Sequence, residues 1–200
     1  MAGAKPSSRR RGEPDRTHSL TVTRPTLLIG QSDEAFRKLL YNFFTIANRM
    51  DEIRRYLGAR IGVSGPQCSL MTAVAELQGS TGVSVRKVAA YLHVSGPFVT
   101  TESGKLAAKG YIHRRPDPED LRVSLLRLSP EGRKALKSLL PELRQINDLF
   151  FDLESKEQFE MLCRTFDRLV ETSRWALALV SLTARDDQLR PAMEQELKRR

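Results

Sequence analysis

Residues 84–128 read SVRKVAAYLHVSGPFVTTESGKLAAKGYIHRRPDPEDLRVSLLRL, and this stretch decides the fold. Its first part has apolar residues at three- and four-residue spacing, which predicts a short helix with one apolar face: Val85, Val88, Ala89 and Leu92. Ser95 and Pro97 then begin a second helix, because a serine oxygen accepts from the free amides of a helix start and proline needs no amide partner there. This helix is predicted over about 96–109, with Gly110 ending it. Two helices joined by a tight turn are the geometry that presents one helix to a DNA major groove.

A basic hairpin follows the two helices. Residues 111–115 and 122–128 have the composition of β-strands, and residues 116–121 between them are dense in turn formers. The sequence therefore predicts a two-stranded wing with arginines at both of its roots.

These residues carry a family resemblance. The run LHVSGPFVTTESGKLAAKGYIHRRPDPEDLRVSLLRLSPEGRKAL, residues 92–136, resembles the winged helix of the MarR (multiple antibiotic resistance regulator) family. In that pattern a recognition helix ending L-x-x-K-G leads into a strand, an RRPDPxDxR wing and an L[ST]xxG helix start. The resemblance covers roughly residues 30–180. It implies a mainly α fold with a small β-hairpin wing, in which a winged helix-turn-helix DNA-binding domain is flanked by long dimerisation helices.

The remaining chain divides by composition. The first 25 residues are basic and poor in apolar side chains, so we expect disorder there, either as an arm that contacts phosphate or as an inert extension. The last residues are charged again. The expected organisation is a basic tail over 1–25, a MarR-type domain over 26–182 with its winged helix at about 64–128 and dimerisation helices at about 32–58 and 130–180, and a charged tail over 183–200.

The long outer helices bear on assembly. Three segments, 32–57, 131–153 and 155–180, carry more apolar stripe than a small winged helix could bury. A stripe without a core of its own usually meets a second copy of the chain, although a larger monomer core is the alternative. The resemblance also implies a homodimer, whose two recognition helices would lie about one duplex turn apart and read a pseudo-palindrome.

Composition narrows the partners. The net charge of the 200 residues is +9, which favours a polyanion and places nucleic acid ahead of an anionic membrane surface. No apolar run approaches the roughly 18 residues of a membrane span, and no secretory signal opens the chain, so we expect a cytoplasmic protein without a membrane partner.

The second helix of the central unit supplies most of the expected DNA contacts. Val99 and Leu106 should point inward, which leaves the opposite side for DNA, with Ser103 at its flank. Hydroxyls at a helix start suit phosphate oxygens and base edges, and a phenyl ring can contact a thymine methyl group. The expected contacts on this helix are Ser95, Pro97, Phe98, Thr100, Thr101 and Lys105.

The wing supplies the other expected contacts, Arg114, Arg115 and Arg122. Arginine inserted into the minor groove reads its width more than its bases. The family pattern implies that Asp120 braces Arg122 and that Arg122 enters the groove. For Arg114 and Arg115 a solvated strand end is the alternative.

Catalysis finds little support. None of the three histidines lies in a catalytic or metal-binding motif, so we expect neither an enzyme nor a metal or other cofactor. His93 and His113 could approach each other and bind a metal, but a surface position is favoured. Cys68 and Cys163 form no CxxC pair, and both are expected to be small core residues.

These features predict a sequence-specific, DNA-binding transcriptional regulator, most simply a homodimeric repressor. The resemblance implies release from DNA by a small ligand, such as an aromatic acid or a thioester of one, in a pocket whose residues the sequence does not assign. The alternative is an architectural, sequence-blind nucleic-acid-binding protein without an effector.

Overall fold

The computed structural model describes the backbone of residues 19–197 and the side chains of residues 19–184. Most of the predicted basic tail, residues 1–18, lies outside the described residues. The chain divides into two units at Leu140 and Pro141. Its helices are α1 (Glu34–Arg60), α2 (Gly65–Leu77), α3 (Val85–Leu92), α4 (Gly96–Ala108), α5 (Pro130–Phe150) and α6 (Lys156–Leu197), and its strands are β1 (Val83–Ser84), β2 (Ile112–Pro116) and β3 (Ser124–Leu128). The predicted fold class, mainly α with a β wing, is confirmed.

Three helix starts use the same device. Ser64, Ser84 and Ser95 each precede a helix and accept a hydrogen bond from the backbone amide three residues on, at 3.3 Å in every case. A side-chain acceptor there satisfies one of the amides that lack a partner within the helix. The repeated Val-Ser-Gly-Pro sequence before α2 and α4 is therefore one capping solution used twice.

The sheet has three strands in the order β1-β3-β2, so the predicted two-stranded wing was incomplete. Val83 pairs with Leu126, and Ser84 pairs with Leu125. A strand of two residues is too short to show alternation, and its partner lies more than forty residues away in sequence. The strand β1 could therefore be predicted neither from alternation of apolar residues nor from a neighbouring strand in the sequence.

The core of the first unit lies between the short helices and the sheet. Its fully buried apolar side chains come from α2, α3, α4, β2 and β3, and they include Leu70, Met71, Val74, Val88, Val99, Leu106, Ile112 and Leu126. This packing fixes α4 by its inner face and leaves its outer face free, as the helical period of the sequence predicted.

Both ends of α1 differ from the prediction. The predicted helix of about 32–58 in fact begins after Asp33 and continues to Arg60, so Gly58 lies inside it. Gly58 is buried because α2 begins against it: a Cβ there would come within 2.7 Å of the Val63 carbonyl oxygen. The turn falls at Gly62 instead, whose φ of +72° favours glycine.

The tail boundaries also differ. The predicted N-terminal tail to residue 25 is too long, because Thr21 donates to the Asp33 carboxylate through its amide at 2.7 Å and its hydroxyl at 2.6 Å. The predicted C-terminal tail from residue 183 is helical backbone as far as Leu197. Residues 183–197 are rich in Ala, Gln, Glu, Leu and Arg, which are good helix formers, so their charge did not indicate a helix end.

The two cysteines differ. Cys68 is buried, and desolvation raises the pKa of its thiol above the ordinary value, whereas Cys163 is exposed on α6. The core prediction was therefore right for Cys68 and wrong for Cys163, because α6 presents much of its apolar stripe to solvent. Residues 19–197 contain no helix that is long and apolar enough to cross a membrane.

Candidate DNA-binding surface

The outer face of α4 carries the residues that the sequence assigned to DNA. Val99 and Leu106 are fully buried, while Pro97, Thr100, Thr101 and Lys105 are exposed and Phe98 is half-buried. Ser95 is exposed at the helix start, where its oxygen accepts from the Phe98 amide. Ser103, expected at the flank, is buried instead, and its hydroxyl donates to the Thr100 carbonyl oxygen at 3.1 Å. A hydrogen bond to its own helix lets that hydroxyl occupy an apolar position.

A chain of polar contacts holds Lys105. Its ammonium group donates to one oxygen of Glu102 at 2.6 Å, and the other oxygen accepts from the side-chain amide of Gln67 at 2.9 Å. Gln67 belongs to the capping box of α2, so it is itself fixed. The hydrogen bond from Lys105, then that from Gln67, holds the pKa of Glu102 below its ordinary value. Glu102 is therefore a carboxylate on the recognition helix that positions a cation, and sequence reasoning did not assign it to the site.

At the tip of the wing, Arg122 is paired with Asp120. Two hydrogen bonds join the guanidinium group to the carboxylate, at 2.9 and 3.0 Å, and the Arg122 amide donates to the same carboxylate at 3.1 Å. These bonds raise the pKa of Arg122 and lower that of Asp120. The arginine side chain is 90% exposed, so it projects from the wing in a fixed direction.

The other arginines of the wing turn towards the protein. Arg114 donates to the Thr100 carbonyl oxygen of α4 at 3.4 Å. Arg115 donates to the Thr81 carbonyl oxygen, and Arg127, which the sequence reasoning passed over, donates to that of Ser80. All three remain exposed and keep further N–H groups for a phosphate. Register could have drawn attention to Arg127, because it pairs with His113 in the two strands.

Gly104 lies inside α4 beside the wing arginine Arg114. A Cβ at this position would lie 3.4 Å from the guanidinium of Arg114. That is an ordinary van der Waals distance, so a methyl group at this position would pack against the arginine that reaches Thr100 one turn earlier.

Other kinds of site are less developed. No group of three or more His, Cys, Asp or Glu side chains suited to a metal occurs in the part of the chain that the structure describes. His93 ends α3 in the left-handed conformation, and His113 is exposed on β2. An open cleft of 270 Å³ at the start of α1 is lined by Ile29, Ser32, Glu34, Ala35 and Lys38.

Comparison with known families agrees with this geometry. Residues 61–122 match the sequence model of the MarR family. The matched segment begins at the end of α1, includes α2, α3 and α4, and reaches the tip of the wing at Arg122.

Residues 61–122 therefore match the winged helix of the MarR family.

Solved structures of MarR-type regulators share the fold. The S. aureus MepR–DNA complex is 19% identical with a TM-score of 0.59, and the match covers 66% of this chain and 96% of MepR. The regulator BldR from Sulfolobus solfataricus is 26% identical with a TM-score of 0.53, covering 66% of this chain and 97% of BldR. CouR from Rhodococcus jostii bound to p-coumaroyl-CoA is 17% identical with a TM-score of 0.61, covering 69% and 95%. No curated protein matches the chain.

The match of residues 61–122 and the similarity to these solved structures support a DNA-binding transcriptional regulator.

Proposed function

We propose that this MarR-type regulator is a homodimeric repressor that binds a pseudo-palindromic operator and leaves it when a small ligand binds. The observation that carries the DNA-binding part is Arg122, a cation fixed by Asp120 and almost fully exposed at the wing tip. An arginine oriented before DNA arrives loses less conformational freedom on binding, and the minor groove attracts it.

The recognition helix would enter the adjacent major groove. In this proposal Ser95, Pro97, Phe98, Thr100, Thr101 and Lys105 contact base edges and phosphates, and Arg114 and Arg115 contact phosphate from the strand. Exposed hydroxyl groups at the start of α4 support such contacts, because they can donate to phosphate oxygens and to base acceptors.

The apolar surface of α6 supports the dimer. In the middle of this helix, between residues 175 and 182, five large apolar side chains are each more than 60% exposed: Trp175, Leu177, Leu179, Val180 and Leu182. They are spread around the helix rather than confined to one stripe, and a helix that is apolar on most sides is normally buried. A second copy of the chain is the simplest cover, as in the domain organisation inferred from sequence.

Trp175 offers a direct test of the dimer, because it is the single tryptophan of the chain. In the dimer its emission should be blue-shifted and shielded from acrylamide, and dilution should shift it to the red as the mass measured by light scattering halves. Leu177→Glu should produce the monomer at high concentration, while Leu121→Glu, at an exposed leucine in the wing, should not. Wild-type protein that is monomeric at tens of micromolar would contradict the proposal.

Operator binding tests the regulator itself. Wild-type protein, Arg122→Ala and the control Arg49→Ala, which removes the same charge from an exposed site on α1, would be titrated with the DNA upstream of the gene against random competitor. We expect a protected inverted repeat and about tenfold weaker binding for Arg122→Ala alone, in the range of a lost base contact. Equal affinity for random DNA would support the architectural alternative, which the net charge of +9 also favours.

The ligand is proposed as an aromatic acid or an acyl thioester. The similar regulator CouR was solved with p-coumaroyl-CoA, which is a thioester of this class. A ligand that bound both states of the dimer equally would change nothing, so it must prefer the state that does not fit the operator. Release of wild-type protein from its operator by one member of a panel of aromatic acids and their CoA thioesters would identify it, and no release by any member would contradict this ligand class.

A further inference from the structure

Tyr111, the third residue after α4, is bonded to three other elements. Its amide donates to the Leu106 carbonyl oxygen of α4 at 2.9 Å, and its own carbonyl oxygen accepts from the Ser129 amide before α5 at 3.0 Å. Its hydroxyl donates to the Ile61 carbonyl oxygen at the end of α1, at 2.9 Å. One residue therefore joins the end of the recognition helix to one end of each of two long helices.

Lys109 makes a second connection to the end of α1. Its ammonium group donates to the Gly62 carbonyl oxygen at 2.7 Å. The last carbonyl groups of a helix have no partner within it, and positive charge is favourable beside them. The side chains of Lys109 and Tyr111 thus hold the two residues that follow α1, although they belong to the junction between α4 and β2.

The start of α5 is fitted against the same junction. The Ser129 hydroxyl donates to the Gly110 carbonyl oxygen at 2.6 Å. Gly132 is buried so close to Tyr111 that a Cβ there would lie 2.3 Å from its carbonyl oxygen. Such a contact leaves the backbone at Tyr111 almost no freedom relative to the first turn of α5.

We propose that Tyr111 and Lys109 are positioning residues for operator recognition: they set the angle between α4 and α1, and so the spacing of the two recognition helices. This inference rests on the dimeric operator-binding function proposed above. The DNA-facing start of α4 lies at the opposite end of the helix from the junction.

A small rotation of α4 at the junction produces a large displacement at its DNA-facing start. Thirteen helical residues span about 20 Å. A rotation of about 10° at the junction would move the start of α4 by about 3.4 Å, which is the rise of one base pair. Loss of one bond at the junction should therefore change which half-site spacing is accepted, and not only how tightly DNA is bound.

Tyr111→Phe removes the hydroxyl alone and leaves charge and packing volume nearly unchanged. The matched control is Tyr91→Phe, which removes the hydroxyl bond from Tyr91 to Glu76, 2.7 Å long and remote from the junction. Full-length proteins would be titrated with operators whose half-sites are moved by one base pair in each direction, and with random DNA.

For Tyr111→Phe we expect about three- to tenfold weaker binding to the operator with the preferred spacing, the range of one lost hydrogen bond. The ratio of affinities between the operators with preferred and altered spacing should decrease. Binding to random DNA and the behaviour of Tyr91→Phe should match wild type. Lys109→Met should also decrease this ratio of affinities, whatever the loss of its charge does to the overall affinity for DNA.

An unchanged spacing ratio in both Tyr111→Phe and Lys109→Met would overturn the inference, even if melting temperatures fell, because lost stability alone does not alter spacing preference. Wild-type protein that shows no preference among spacings would instead defeat the proposed operator-binding function, and this inference with it.

Discussion

Asp120 binds Arg122 through both carboxylate oxygens, and it does so within a closed turn. The Val123 amide donates to the Asp120 carbonyl oxygen at 2.8 Å, and the Asp117 amide donates to that of Val123 at 2.9 Å. An ion pair this exposed contributes little to the free energy of folding. Its effect is to orient the arginine at the tip of the wing.

Removal of Asp120 should therefore change the affinity for DNA in the direction opposite to that expected from charge. Asp120→Ala makes the protein more positive, which by charge alone should strengthen DNA binding. We expect weaker operator binding instead, by about threefold, because Arg122 loses its fixed direction and must be ordered when DNA binds. Glu119→Ala removes the same charge from the same loop without touching that pair and should bind operator as well as wild type or better. Competition titrations measure both variants, and stronger operator binding by Asp120→Ala would show that orientation does not matter.

Glu102 restrains Lys105, and its neutralisation should release that cation. In Glu102→Gln we expect tighter binding to random DNA, with the slope of log K against log salt concentration steeper by about 0.9, as one more phosphate is neutralised. The preference for operator over random DNA should decrease because Lys105 no longer has one position. Glu76→Gln, which removes a carboxylate from an exposed site on α2, is the control. An unchanged slope in Glu102→Gln would mean that Lys105 does not reach phosphate.

Two glycines should respond oppositely to alanine. Gly104→Ala meets only the flexible end of Arg114 at 3.4 Å, so the gain in helix propensity should raise the free energy of unfolding by about 0.5–1 kcal/mol. Gly132→Ala would meet the Tyr111 backbone at 2.3 Å and should lower it by about 1–3 kcal/mol. Urea unfolding followed by circular dichroism measures both. A destabilised Gly104→Ala would show that the position of Arg114 is more rigid than its exposure indicates.

Asp33 should contribute to the acid sensitivity of the fold. The hydrogen bonds from Thr21, first that of its hydroxyl and then that of its amide, hold the pKa of this carboxyl below its ordinary value of 3.8. The stabilisation is therefore complete above that value and is lost as the pH falls through the lower pKa of the folded protein. Asp33→Asn should be less stable than wild type near pH 7, with the difference shrinking below about pH 4. Urea unfolding between pH 7 and 2.5 tests this, with Glu52→Gln as an exposed control on α1.

Local chemistry explains what could be predicted from the sequence. Ser64, Ser84 and Ser95 mark their helix starts because the capping bond is made within three residues of the chain. Val99 and Leu106 identify the inner face of α4 by spacing alone. The local pattern was not sufficient in two places. The prediction missed the two-residue strand β1, and it placed a tail where the backbone is helical beyond residue 183.

The sequence by itself determined the order of the elements, the outward face of α4 and the wing arginines, because helical period, caps and turn formers act over a few residues. Only the tertiary structure decided which backbone groups the arginine and tyrosine side chains contact. Arg114 and Arg115 lie against the carbonyl groups of Thr100 and Thr81, and Tyr111 reaches Ile61 from fifty residues away. Such bonds depend on how helices and strands pack together in space, and this packing cannot be predicted from the spacing of residues along the chain.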